Sequence, residues 1–200
     1  MTVTSILPSR FFSATLRYLD KLTPRVSDTW RADEVHVKSK GNRKYLFAVM
    51  NDETRFWIAQ EVSHWKENTD VGHLFRKAKE TAGKEPKTLI TDQLKSCRTA
   101  SRQEFPEARH IQDITLGGVI HNNKMERMNG EVRDREKVMR GLKRMDTPIL
   151  KGYQLYHNFI RPHEGLKGAT PADKAGIKVE GDNKWLTLIQ NSAKKDLTSK

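Results

Sequence analysis

The hydrophobic pattern changes period twice between residues 29 and 92, and this limits the folds open to the chain. From Thr29 to Lys38 the apolar residues alternate, with Val35 and Val37 separated by polar neighbours. Gly41-Asn42 supplies a turn, and a second run extends from Tyr45 to Met50. Asn51-Asp52 supplies another turn, and a third run extends from Arg55 to Val62 around Phe56, Trp57 and Ile58. Period two with short turns predicts an antiparallel meander. The spacing then becomes helical. Val71, Leu74, Phe75, Ala78 and Ala82 share one stripe, with Thr69 or Asp70 placed to cap the helix and Gly83 to stop it. A short apolar run, Lys87 to Thr91, follows and ends at Asp92. A helix leading into a short buried strand predicts a crossover that returns parallel to the same sheet.

The flanking segments extend this order. Residues 1–28 read as a helical lead-in, with Phe12, Leu16, Leu19 and Leu22 near helical spacing and Thr23-Pro24 closing it. After Asp92 we expect a helix over 93–104, a strand from His110 to Ile114 and a long charged helix from Asn122 to Arg140. A last helix should begin after Asp146-Thr147-Pro148, with Leu150, Tyr153, Tyr156 and Phe159 as its stripe. Residues 178–200 read as a C-terminal tail. Three strands, helix, strand, helix, strand and then helices is the order of an α/β ribonuclease-H-like fold. Such a fold has a mixed five-stranded sheet, three antiparallel strands then parallel ones, flanked by helices. Residues 29–177 would form this core.

Charge narrows the partner. There are 37 Lys and Arg against 25 Asp and Glu, a net charge of +12. That excess favours a polyanion through phosphate neutralisation and counterion release. Cys97 is the lone cysteine, so an intramolecular disulfide and a cysteine-based zinc framework are excluded, and its thiol reads as incidental. Mean hydropathy is −0.77, and no apolar run approaches membrane-spanning length. Pro8, Ser9 and Arg10 interrupt the N-terminal apolar residues, so no signal peptide is expected and the setting reads as cytoplasmic.

Three acids fall at structural edges. Asp33 lies within the first expected strand, Asp92 ends the strand after the crossover, and Glu126 lies near the start of the long helix. The carboxyl ends of strands and neighbouring helix N-termini form the usual ligand crevice of an α/β sheet. Three carboxylates there suit Mg²⁺ or Mn²⁺, and two ions about 3.5–4 Å apart would serve phosphodiester chemistry. Taken singly, each is an ordinary acid with a surface role open to it.

The local contexts go further. Trp30-Arg31-Ala32-Asp33-Glu34, Thr88-Leu89-Ile90-Thr91-Asp92 and Asn122-Asn123-Lys124-Met125-Glu126-Arg127-Met128-Asn129-Gly130 resemble the three acidic segments of DDE insertion-sequence transposases, especially of the IS6 type. The 33 residues between Asp92 and Glu126 are close to the DDE spacing. Tyr156 to His163, followed by Leu166 and Thr170-Pro171-Ala172, is similar to the C-terminal signature of integrase-core transposases. The resemblance covers about residues 20–177. It implies metal-dependent DNA cleavage and strand transfer by Asp33, Asp92 and Glu126, DNA ends and target DNA as partners, a homodimer or larger assembly, and work at the nucleoid. It also implies that Arg133, two helical turns beyond Glu126, contacts DNA, with Lys124 and Arg127 meeting phosphate. His121, just before Asn122, is a further candidate near the metals, with a structural hydrogen-bonding role favoured. Arg161, Pro162 and His163 either position DNA or fix a turn, with the turn favoured. Trp57 reads as core. Such transposases usually carry an upstream helix-turn-helix module, and the roughly 28 residues before the first expected strand are too few for one. A catalytically silent DNA-binding or subunit-interacting remnant is therefore an alternative, as is a nuclease acting on RNA–DNA hybrids.

Overall fold

The structure is a computed structural model that describes residues 7–92, 95–112, 123–142 and 148–198. Helix α1 (Leu7–Leu19) precedes β1 (Thr29–Ser39), β2 (Asn42–Asn51) and β3 (Trp57–Ser63). Helix α2 (Asn68–Ala82), β4 (Thr88–Ile90), α3 (Lys95–Glu104) and β5 (Arg109–Ile111) follow. Then come α4 (Asn123–Met139), α5 (Pro148–Leu155), α6 (Pro171–Lys174) and α7 (Lys184–Thr198). The sheet order is β3-β2-β1-β4-β5. β1 pairs antiparallel with β2 and parallel with β4, and β4 pairs parallel with β5. This is the mixed five-stranded sheet expected from the order of elements.

Side-chain alternation on β1 divides the core. Trp30 and Ala32 face α2 and α3, packing with Leu74, Phe75, Cys97 and Phe105. Val35 and Val37 face α4, packing with Met125, Met128 and Val132. Trp30 meets Phe105 edge-on at 5.8 Å between ring centres, and Phe75 packs on Phe105 at 5.1 Å. Each fully buried large side chain of this kind contributes roughly 1.5–3 kcal/mol. Trp57 is fully buried on the α4 side, and its indole N–H donates to the Ala59 carbonyl at 3.0 Å. Cys97 is buried, and burial raises its thiol pKa, which keeps the group protonated. Among the described residues no helix is long and apolar enough to cross a membrane.

Several local expectations need correction. Helix α2 begins one residue before Thr69, with Glu67 as its extended N-cap and no capping side-chain bond; Thr69 and Asp70 both lie inside the first turn. Gly83 does stop it, in the left-handed region at φ 65°, with its N–H on the Lys79 carbonyl. β3 begins at Trp57, not Arg55. The Asn51 side chain accepts from the Thr54 N–H and hydroxyl, which winds the preceding turn, and Arg55 takes φ 56° to leave it. α4 ends at Met139 because Arg140 and Gly141 adopt positive φ. The strand expected from His110 to Ile114 is Arg109–Ile111, and residues 113 and 114 lie outside the described residues.

The last expected helix also departs from a plain α stripe. α5 widens into a π-helical turn over Tyr156–Ile160. That turn buries His157, Asn158 and Phe159, while Tyr156 is only half-buried. Asn158 accepts from the Trp57 N–H at 2.8 Å and donates to the Trp57 carbonyl at 2.9 Å. Gln154 donates to the same carbonyl at 2.9 Å. At the start of edge strand β3 the backbone N–H and carbonyl of Trp57 are therefore covered by side chains. The stretch read as a tail contains α7, whose Leu188 is buried in the core and whose Ser192 hydroxyl lies 3.2 Å from that of Thr15 on α1.

Candidate functional site

The site follows from unequal strand lengths. β1 runs from Thr29 to Ser39, but β4 pairs with it only at Thr29, Trp30 and Arg31. Beyond Ile90 the two backbones part. Asp92 follows the end of β4 as Asp33 and Glu34 continue along β1, at the carboxyl end of a parallel strand where α/β sheets bind ligands. Carboxylate oxygens of Asp33, Glu34 and Asp92 all lie within 4.8 Å of one another.

Asp33 sits on the α4 face of β1. One carboxylate oxygen accepts from the Glu34 N–H at 2.8 Å, and the other accepts from the Asn129 side-chain amide at 2.9 Å. Burial, together with the negative charges of Asp92, Glu34 and Glu126, raises the Asp33 pKa to about 7, against the opposing Glu34 N–H bond. Glu34 was assigned no role by sequence reasoning. Its side chain is 10% exposed, one oxygen pairs with Lys66, and the other is buried with no hydrogen-bond partner. The Lys66 ammonium also lies over the Tyr45 ring, 4.9 Å from its centre.

The sequence candidates on α4 divide between two flanks of the helix. Glu126, Asn129 and Arg133 follow i, i+3, i+7 spacing on the Asp33 side. Glu126 is exposed; its charge reaches Asp33, but it is not one of the three acids brought within 4.8 Å. Arg133 is exposed and close enough to His36 of β1 for its charge to lower that pKa, behind burial, Arg43 and Lys66 in effect. Lys124, Arg127, Met128 and Glu131 follow the same spacing around the helix and line a cavity of about 130 Å³ with Met50, Arg55, His157 and His163. Lys124 is anchored by Asp52, at 2.8 Å to its carboxylate and 2.8 Å to its carbonyl. Lys124 and Arg127 thus face away from the acids that they flank in sequence.

The Arg161-Pro162-His163 segment takes a structural position. Arg161 pairs with Glu131, which also accepts from the Tyr153 hydroxyl at 2.9 Å. His163 stacks edge-on against His157, with ring centres 4.6 Å apart, and its Nε2 lies 3.2 Å from the His157 carbonyl. His121 and Asn122 lie outside the described residues. Sequence reasoning also gave no role to Asn129 or Arg55. Asn129 was visible three residues after Glu126, one turn on; Arg55 carried no signal, since its position depends on a turn after β2.

A family model for the transposase DDE domain matches residues 27–163, more than half of the chain. No curated protein sequence matches significantly. Among solved structures, the HTLV-2 integrase catalytic core domain, determined in complex with magnesium in a trimeric form, aligns with TM-score 0.55 and 16% identity. That alignment covers 77% of this chain and 98% of the other. A simian T-cell lymphotropic virus intasome, determined with the PP2A regulatory subunit B56 gamma, aligns with TM-score 0.58 and 16% identity over 75% of this chain and 55% of the other. The catalytic core domain of BIV integrase aligns with TM-score 0.55 and 13% identity over 74% of this chain and 93% of the other. At these identities the likeness establishes the fold alone, the ribonuclease-H-like fold.

Proposed function

Because this chain belongs to the transposase DDE domain family, we propose that Asp33, Asp92 and Glu126 hold divalent metal and cleave and rejoin DNA strands. The observation that carries this reading is the meeting of Asp33 and Asp92 at the end of β4, with Asp33 raised to about 7. A buried carboxylate pushed towards neutrality beside a second acid is a site poised for a cation, which would favour its ionised form. The donor set is all oxygen and suits Mg²⁺ or Mn²⁺, one or two ions. The buried, unpartnered oxygen of Glu34 fits the same chemistry. When bound, such ions supply Lewis-acid stabilisation of the attacking and leaving oxygens.

The chain's own residues have separate tasks. Asn129 fixes the Asp33 carboxylate by donating to it. Lys66 balances Glu34, so that charge does not add fully to the repulsion against DNA. Arg133, exposed on the flank of α4 that carries Glu126, meets a DNA phosphate, and Lys124 and Arg127 meet others. The substrates are transposon ends and target DNA, and bringing two ends together takes at least two copies of the chain. The work is done on chromosomal DNA.

Metal-dependent nicking of supercoiled plasmid DNA tests the reading. Activity with Mg²⁺ or Mn²⁺ is expected, with loss on chelation and in both Asp92→Asn and Glu126→Gln. Wild-type activity in Glu126→Gln, beside a dead Asp92→Asn, would transfer the third position to Glu34. Salt-sensitive DNA binding with no cleavage under any metal would sink the catalytic reading and leave a binding remnant.

A further inference from the structure

The cavity on the far flank of α4 has the composition of an anion seat. Arg55, Lys124 and Arg127 line it against the single carboxylate of Glu131, and Met50 and Met128 contribute apolar wall. Glu131 is already engaged by Arg161 and the Tyr153 hydroxyl, and these bonds hold its pKa below the usual range despite burial. Lys124 is balanced by Asp52, which Arg31 also contacts at 2.5 Å. Among the described residues, Arg55 and Arg127 have no ion-pair partner. Burial lowers the pKa of both histidines, His157 to about 4, so the charge here comes from the arginines and the lysine.

Three details show how Arg55 is placed. Its backbone has φ 56°, a region that residues other than Gly, Asn and Asp seldom adopt. Its carbonyl lies 3.0 Å from Nε2 of the buried His157, which ties this turn to the π-helical segment. Its guanidinium lies against Gly165, where even a Cβ atom would overlap it. Gly165 has no positive φ, so its backbone does not require glycine. The space that its missing Cβ leaves is taken by the tip of the Arg55 side chain, which a Cβ would displace.

We propose that Arg55, Lys124 and Arg127 form a seat for a phosphodiester group of DNA, with Arg55 set in position by Gly165. The proposal rests on the DNA-cleaving reading and extends it. DNA held here lies against the flank of α4 opposite the acids, so the helix is gripped from one side while the reacting phosphate is presented on the other. Arg127 binds from an exposed position, and the half-buried Arg55 fixes the register.

Binding of a fluorescent 30-base-pair duplex of arbitrary sequence, followed by anisotropy across a KCl series without divalent metal, tests this. Losing one phosphate contact should lower the slope of log K against log salt by about 0.9 and weaken binding roughly 8-fold near 0.1 M salt. Arg55→Gln is expected to do so. Gly165→Ala keeps every charge but evicts the guanidinium, and should show a similar loss with an unchanged circular dichroism spectrum. Arg102→Gln, on α3 across the sheet, should bind as wild type. If both Arg55→Gln and Gly165→Ala bind as wild type while the parent shows a steep salt dependence, the seat is refuted and the DNA-cleaving reading stands. An equal loss in Arg102→Gln, or a loss in Arg55→Gln with none in Gly165→Ala, assigns the effect to net charge and also refutes the seat. A parent chain that binds no DNA at low salt overturns both readings.

Discussion

Asp33→Asn is expected to abolish metal-dependent DNA cleavage while making the metal-free protein more stable. The activity loss should be on the order of 10³-fold or more, the scale on which single catalytic groups act. The gain in stability comes from the same burial that makes the site. Asp33 has its folded pKa raised from 3.8 to about 7, so the folded state holds the proton more tightly than the unfolded chain. The stabilisation given by that proton is complete below about pH 4 and is lost as pH rises through 7. Above pH 7 the ionised carboxylate costs the fold about 2–4 kcal/mol, because each tenfold difference in proton affinity between the folded and unfolded chain is worth about 1.4 kcal/mol. Asparagine carries no charge to desolvate. The variant should therefore melt roughly 5–10 °C higher at pH 8, and the difference should vanish near pH 4. Mg²⁺ or Mn²⁺ should raise the melting temperature of the parent and leave the variant unmoved, since only a ligand of the folded state stabilises it. Calorimetry at pH 4, 6 and 8, with and without metal, reads both effects. Equal melting temperatures at pH 8 would falsify the assignment of Asp33 as a strained, charge-seeking acid.

The second large effect is expected far from the acids. Asn158→Ala removes both partners that its side chain gives Trp57, an acceptor for the N–H and a donor to the carbonyl. Asn158 and Trp57 are buried, so water does not replace the bonds easily. The carbonyl retains Gln154, but the N–H is left unpaired. A cost of about 2–4 kcal/mol follows from an orphaned buried donor with the loss of a second bond. Urea unfolding should show an earlier midpoint with an unchanged slope. A change under about 0.5 kcal/mol would mean that the π-helical turn does not clasp the sheet.

These two positions show what the sequence makes legible. The two changes of period are local properties of the chain, so the meander, the crossover helix and the return strand could all be read from it. Asp33 and Asp92 could be picked out because each ends or interrupts a recognisable strand within a segment that resembles the DDE motifs, and the structure brings these two together. Glu34 was not, and alternation itself concealed it. Neighbouring residues on a strand point to opposite faces, which separates Glu34 from Asp33 on paper. Both reach one crevice because β4 stops pairing at Arg31, and a strand's stopping point is a tertiary fact. The flanks of α4 were half legible. Helical spacing placed Arg133 with Glu126, but nearness in sequence grouped Lys124 and Arg127 with them, while the helix turns those two towards the β2–β3 turn. The π-helical turn lay beyond any pattern of apolar residues. Its extra width serves a polar contact, Asn158 to Trp57, across 101 positions of sequence.

The clasp on β3 also limits how copies of this chain can join. Sheets in two molecules merge when an edge offers free N–H and carbonyl groups. Along β3 the Trp57 carbonyl is held by Asn158 and Gln154, that of Ala59 by the indole of Trp57, and that of Gln60 by Lys77 at 3.0 Å. At Trp57 both the N–H and the carbonyl are taken by side chains, so the strand offers no open ladder where it begins. A strand from another molecule could therefore not start a ladder at Trp57 without first displacing the Asn158 side chain.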